Sequence, residues 1–283
     1  MKNSKFFIAL LVLCVVESKL HSQSKTDIAL YNIGLGSFVG GLGAIINKKP
    51  NEKTGKVLLK GLLQGGGGGY LVYQSKNLLL KIPENNKLEY SWGAKFVNSL
   101  GISIIENASL NNDFWNKWHI NIGFNRLEIE TKEKIKFKYR IMPVALILTG
   151  IFAYDHKFEL EKTLRTGEII FSVSKKFEHA GAVWGKLILL EKNHLDDFHT
   201  ISHEIVHSFQ YEDFNFVNTF LNKPRTKLLG KSKLGNKLDK IFYFDLQAPV
   251  FGGLYLLENG GDEYYDNFFE YEAGLFSNTL LKN

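Results

Sequence analysis

Asp196-Asp197-Phe198-His199-Thr200-Ile201-Ser202-His203-Glu204-Ile205-Val206-His207-Ser208-Phe209-Gln210 is the stretch on which the reading of this 283-residue chain turns. Asn193, Asp196 and Asp197 supply a helix cap and first-turn negative charge. Leu195, Phe198, Ile201 or Ser202, Ile205 and Phe209 then recur at helical spacing, so one side of the helix is buried. His203 and His207 are four residues apart and share a face. Two imidazoles so placed converge on one tetrahedral ion, and the H-E-x-x-H pattern they form is the zinc-binding pair with its catalytic carboxylate. Glu204 lies about 100° further round the helix, beside the ion rather than on it, where it serves as general base.

A third protein ligand is needed, and the residues after the pair narrow the choice. Ser208 to Asp213 lack the glycine and third histidine of the metzincin extension. Downstream, Asp266-Asn267-Phe268-Phe269-Glu270-Tyr271-Glu272-Ala273-Gly274-Leu275-Phe276 has helical periodicity and an aspartate placed to cap it. Its two glutamates are two residues apart, so only one faces the metal. Glu272 shares a stripe with Phe268, Phe269, Leu275, Phe276 and Thr279, the inward side, while Glu270 groups with Asp266, Asn267, Gly274 and Ser277. The expected metal set is therefore His203, His207 and Glu272, holding Zn2+.

H-E-x-x-H followed some tens of residues later by E-x-E-A resembles the gluzincin clan of zinc metallopeptidases, in a compact form. The resemblance rests on His203, Glu204, His207, Glu272 and Ala273 and covers about residues 182 to 283. It implies peptide-bond hydrolysis and an extended strand before the helix that lines the substrate cleft; Ala180 to Leu190 is the counterpart. It also implies an Asp four residues after the ligand Glu, a place held here by Phe276, and a His or Tyr that stabilises the transition state. Tyr211, Tyr264 and Tyr265 are candidates for that role, each also readable as a core tyrosine. Asp213 and Asp262 are candidates for the carboxylate that orients a ligand histidine.

At the other end, residues 1–24 combine Lys2 and Lys5, the apolar run Phe6 to Val16, and Ser22 and Ser24 at spaced small positions, the pattern of a bacterial secretory signal peptide. Export would place the chain in the periplasm, the cell envelope or outside the cell. The single cysteine, Cys14, lies in that segment, so no disulfide is expected. Residues 25–80 form a glycine-rich apolar hairpin. Ile28 to Ile46 carries no charge and five glycines, Val57 to Tyr73 contains Gly65 to Gly69, and a lysine-rich connection joins them. Small residues at such intervals suit close helix packing in a membrane; the five successive glycines and Lys60 favour a buried hairpin instead.

Residues 81–283 then read as the metallopeptidase domain. Phe96, Val97, Leu100, Ile104 and Ile105 mark a helix. His119 to Ile129, Ile135 to Met142, Ala145 to Tyr154, Thr166 to Val173 and Val183 to Leu190 are β-like, predicting an antiparallel meander before the zinc helix. The fold class is thus α+β and zincin-like: an antiparallel sheet, the H-E-x-x-H helix and a C-terminal helix carrying the third ligand. The net charge of +6 falls to +4 without residues 1–24, which carry three lysines and one glutamate; no nucleic-acid signature accompanies it. Lys223 to Lys240 reads as a solvated loop. His119 reads as a satisfied strand residue, and His194 and His199 as flanking residues, with His199 also one turn from His203. G-x-S-x-G and phosphate-loop motifs are absent. The expected partner is a peptide or protein substrate. The alternative is an inactive envelope protein with a structural metal site, acting on a membrane or partner through its glycine-rich segment.

Overall fold

The computed structural model describes residues 24–173, 179–258 and 264–280. The signal-peptide expectation (all but Ser24) and Asp262 fall outside them. In chain order, helix α1 (Lys25–Asn47) starts at Ser24, whose hydroxyl and the Asp27 carboxylate form a reciprocal capping box. Helices α2 (Thr54–Leu79), α3 (Lys81–Asn85) and α4 (Tyr90–Ser109) follow. The glycine run is helical throughout. A Cβ at Gly36 would lie 2.5 Å from the Gly65 carbonyl oxygen, and one at Gly40 2.3 Å from that of Gly61. Close backbone packing of α1 on α2 thus offsets the low helix propensity of glycine, about 1 kcal/mol per residue against alanine. α1 is also long and apolar enough to cross a membrane by length and composition, although 44% of its most apolar window is buried in the protein.

Strands β1 (Lys117–Ile122), β2 (Asn125–Glu130) and β3 (Lys136–Ile141) make an antiparallel meander. The single strand expected across His119 to Ile129 is two, folded at Gly123, whose φ of +55° suits glycine. Helix α5 (Pro143–Phe152) replaces the strand expected over Ala145 to Tyr154. Its continuous apolar run has no decisive period. Pro143 in the first turn and the Asp245 carboxylate, accepting from the Val144 and Ala145 amides at 2.9 and 2.7 Å, settle it as helix.

Strand β4 (Lys157–Phe158), helix α6 (Leu160–Thr166) and strands β5 (Ile169–Val173), β6 (Gly181–Trp184) and β7 (Leu187–Glu191) follow. Sheet order is β4-β5-β7-β6, with β5 parallel to β7 and the other pairs antiparallel. The meander therefore does not extend into this sheet, and β6 is its edge. Helix α7 (Phe198–Asp213) carries the H-E-x-x-H residues and is capped by Asp197, which accepts from the His199 amide. The basic segment expected to be a loop forms helices α9 (Asn222–Leu229) and α10 (Lys233–Ile241), after the short α8 (Phe216–Phe220). Helices α11 (Gln247–Glu258) and α12 (Phe268–Ser277) complete the chain.

The result is mixed α+β. One core joins Ile28 and Leu79 of the hairpin to Ile170, Ile188 and Leu190 of the second sheet, Ile201 and Ile205 of α7, and Phe276 of α12. The boundary expected at residue 80 crosses this core, so the hairpin is packed into the unit that holds α7 rather than appended to it.

Candidate metal centre

α7 is buried on nearly every side from Thr200 to Glu212, so its polar side chains need partners. Their nature separates the two faces. On the face away from α12, Ser208 donates to Glu168, and Lys186 donates to the Ser208 carbonyl and to Glu212. On the face toward α12, His203 Nε2 and His207 Nε2 lie 3.1 Å apart, and Glu270 Oε2 lies 3.0 Å from the first and 3.3 Å from the second. His203, His207 and Glu270 are a buried triad able to hold a metal ion.

Glu272, expected as the third ligand, is not in the triad. Both its oxygens take the Lys76 ammonium at 2.9 Å, and they also accept from Asn32 and Gln210. The inward stripe did not discriminate between the two glutamates, because α12 is buried on both sides: Glu270 and Glu272 are 3% and 0% exposed. One side meets α7, and the other meets the glycine hairpin through Lys76 and Asn32. Four residues beyond Glu270 stands Gly274, so the aspartate implied by the resemblance is missing in this register too.

Glu272 still acts on the site through an intermediary. The Gln210 amide nitrogen donates to Glu272 and to the Phe269 carbonyl, each at 2.9 Å, which leaves Gln210 Oε1 to face His207 Nδ1 at 2.8 Å. Nδ1 of His207 therefore carries a proton, and Nε2 is the nitrogen left for a metal once its own proton is displaced. His203 Nδ1 faces the Thr279 hydroxyl at 3.4 Å. Asp213, a candidate for orienting a histidine, pairs with Lys76 instead at 2.6 Å. His199 Nδ1 meets the Ser277 carbonyl at 2.7 Å and stands outside the triad. His119 Nδ1 is bonded to the Ser103 hydroxyl while its buried Nε2 has no partner among the described residues, so this strand histidine is only half satisfied; it stands outside the triad.

Neither a family model, nor a curated protein, nor a solved structure matches this chain. The chemistry must be read from the residues themselves.

The Glu204 carboxylate lies against the edge strand. A Cβ on Gly181 would be 2.6 Å from Glu204 Oε1, so glycine there leaves the room that the carboxylate fills. Burial raises Glu204 to about 8, with Glu270 adding to the effect and His207 opposing it. Burial pushes His207 down, but the Glu270 carboxylate outweighs it and brings His207 to about 9. Two tyrosines close the other side. Tyr255 donates to Glu270 Oε1, leaving Oε2 for the histidines, and the Tyr264 hydroxyl is 3.5 Å from His203 Nε2. Tyr264 was a candidate from sequence. Tyr211 contacts the Val183 carbonyl, away from the triad, and Tyr265 donates to the Thr279 hydroxyl that faces His203 Nδ1. Tyr255 carried no signal, being one aromatic in an apolar helix, whereas Gln210 was legible three residues after His207.

Proposed function

We propose that the chain is a single-ion zinc hydrolase that cleaves peptide bonds, of gluzincin type, with His203, His207 and Glu270 as ligands and Glu204 as general base. The carrying observation is the size of the triad. Zinc with ligands at about 2.0–2.1 Å in a tetrahedron has ligand edges of about 3.3–3.4 Å, and the three edges here are 3.0, 3.1 and 3.3 Å. Two imidazole lone pairs and a carboxylate oxygen converging in a buried site repel one another unless a cation or proton sits between them. Structural zinc sites take four protein ligands and catalytic ones three; among the described residues the cluster has three.

A zinc ion held there would supply a Lewis acid that polarises a carbonyl and lowers the pKa of a water to roughly 7. The chain's own residues account for the rest. Glu204 would take the proton of the attacking water and return it to the leaving amine; burial raises its pKa, and a cation held by the triad would oppose that and favour the carboxylate form the base needs. Tyr264 keeps its proton, since burial and Glu270 both raise its pKa, and its hydroxyl, 3.5 Å from His203 Nε2, is a donor that would stabilise an oxyanion formed beside the triad. β6, which begins at Gly181 beside Glu204 and is an edge strand among the described residues, offers backbone groups to an extended peptide. The reading keeps the protein in the cell envelope or outside the cell, supported by the composition of residues 1–24.

The test compares the parent with Glu204→Gln for zinc content and for cleavage of a peptide mixture followed by mass spectrometry. One zinc per chain in both and cleavage by the parent alone is expected. No zinc after reconstitution, or equal cleavage by both, refutes the proposal.

A further inference from the structure

The helices α1, α2 and α4 are built inside out. In water an amphipathic helix turns its leucines inward and its charges outward. Here Asn32, Ser75, Lys76, Lys95, Asn98 and Glu106 are all buried, while Leu30, Leu59, Leu63 and Phe96 are 63%, 58%, 69% and 56% exposed, with Phe38 and Leu100 also open. Between Asp27 and Lys48 on α1, and between Lys60 and Lys76 on α2, there is no charged residue at all. The two charges of α4, Lys95 and Glu106, both point inward, to Glu168 and to Lys117 with Arg126. The contacts among the three helices are glycine against backbone, as at Gly36 on Gly65 and Gly68 on Gly101, and such packing needs no water to drive it.

We propose that the outward surface of the α1–α2–α4 bundle is embedded in a lipid bilayer, with the α1–α2 connection at an anionic headgroup layer. Length agrees: α4, at 20 residues, is about 30 Å long, the thickness of the hydrocarbon core. The ends agree as well. At the α1–α2 connection stand Lys48, Lys49, Lys53 and Lys56, against Glu52, whose carboxylate is taken up by the Lys49 amide and Asn111. Exposed Phe114 and Trp115 lie at the same end, next to Asp113, which pairs with Lys60, and Tyr90 and Trp92 lie at the other end of α4. Aromatic rings and lysines at the two limits of an apolar band are the arrangement of a membrane–water boundary. A water-soluble partner protein would account for the exposed leucines but not for the inward placement of Lys76 on α2 and of Lys95 and Glu106 on α4.

The test uses the full chain expressed in cells, with membranes washed at alkaline pH, beside a variant with Leu30→Gln, Leu59→Gln, Leu63→Gln and Phe96→Gln. The parent should stay in the washed membranes and need detergent for release. The variant should move to the soluble fraction by roughly tenfold or more, with its helical circular dichroism intact. A parent found soluble without detergent, as monomer or as a dimer that the variant disrupts, overturns the proposal; so does a variant retained as fully as the parent, which would place the anchor elsewhere. A gentler probe covers a variant that fails to fold. Leu63→Cys in a Cys14→Ser background, carrying an environment-sensitive fluorophore, should be quenched in vesicles with brominated acyl chains, and an unquenched signal overturns the proposal. Replacing Lys48, Lys49, Lys53 and Lys56 by Gln should weaken flotation with phosphatidylcholine–phosphatidylglycerol vesicles about tenfold relative to phosphatidylcholine alone. An unchanged ratio refutes the headgroup assignment.

Discussion

Replacing Glu270 and Glu272 one at a time separates holding a metal from holding the fold. Glu272 is fully buried and meets Lys76 at 2.9 Å with both oxygens; Lys76 is itself buried and otherwise bound to Asp213 at 2.6 Å and Asn32 at 3.2 Å. Removing one partner of a buried ion pair costs about 3–5 kcal/mol. Because Asp213 still compensates Lys76, Glu272→Gln belongs at the lower end, about 3 kcal/mol, or about 6–12 °C in Tm for a chain of this size. At a pH above about 9, where His207 of the metal-free protein is neutral, Glu270→Gln instead leaves histidines that can share hydrogen bonds with the amide, so metal-free stability there should change by about 1 kcal/mol or less. Zinc content shows the reverse order. Glu270→Gln should lose the ion at stoichiometric zinc, whereas Glu272→Gln should retain it with weaker affinity, through the loosened Gln210. The assays are thermal unfolding of the metal-free proteins and zinc titration with a competing chelator. A Glu272→Gln protein that loses zinc at unchanged metal-free Tm, with Glu270→Gln still binding, would refute the reasoning.

Gln210→Leu should weaken zinc binding about 10–100-fold without lowering the saturating stoichiometry, since it frees the His207 ring that the amide orients; chelator competition measures this, and an unchanged affinity would count against the relay from Glu272. Gly181→Ala should keep the ion but lower kcat, because the new methyl would stand 2.6 Å from Glu204 Oε1 and push the carboxylate off its position; zinc content and turnover read together decide it. For pH dependence, burial pushes Glu128 and Glu212 up, but Arg126 and Lys186 respectively outweigh it and hold both at about 2 against an ordinary 4.5. Their folded values are lowered, so the stability they contribute is complete above about 4.5 and is lost as pH falls from there through 2. Unfolding by denaturant between pH 6 and 2 should show that decline, with a shallower slope in Glu128→Gln; a flat profile would contradict the pairing.

The local pattern around α7 determined a good deal unaided. The four-residue spacing of His203 and His207, the capping Asp197 and the apolar stripe through Ile201, Ile205 and Phe209 depend only on helix geometry, which is a property of near neighbours. The same is true of α4 and of β3, whose periods are unambiguous. What tertiary structure alone decided is which buried face meets what. A helical wheel separates Glu270 from Glu272 but cannot say that one buried side of α12 packs on the histidines and the other on Lys76 of a hairpin some two hundred residues away. It also cannot say that Pro143 to Phe152 is helix, since the capping carboxylate of Asp245 comes from a distant segment. Nor does intrinsic propensity place five successive glycines in a helix; the contact of Gly61 and Gly65 with the backbone of α1 does. Sequence specifies the groups that are near in the chain, and the energy of a buried charge or a close backbone contact depends on groups that only folding brings together.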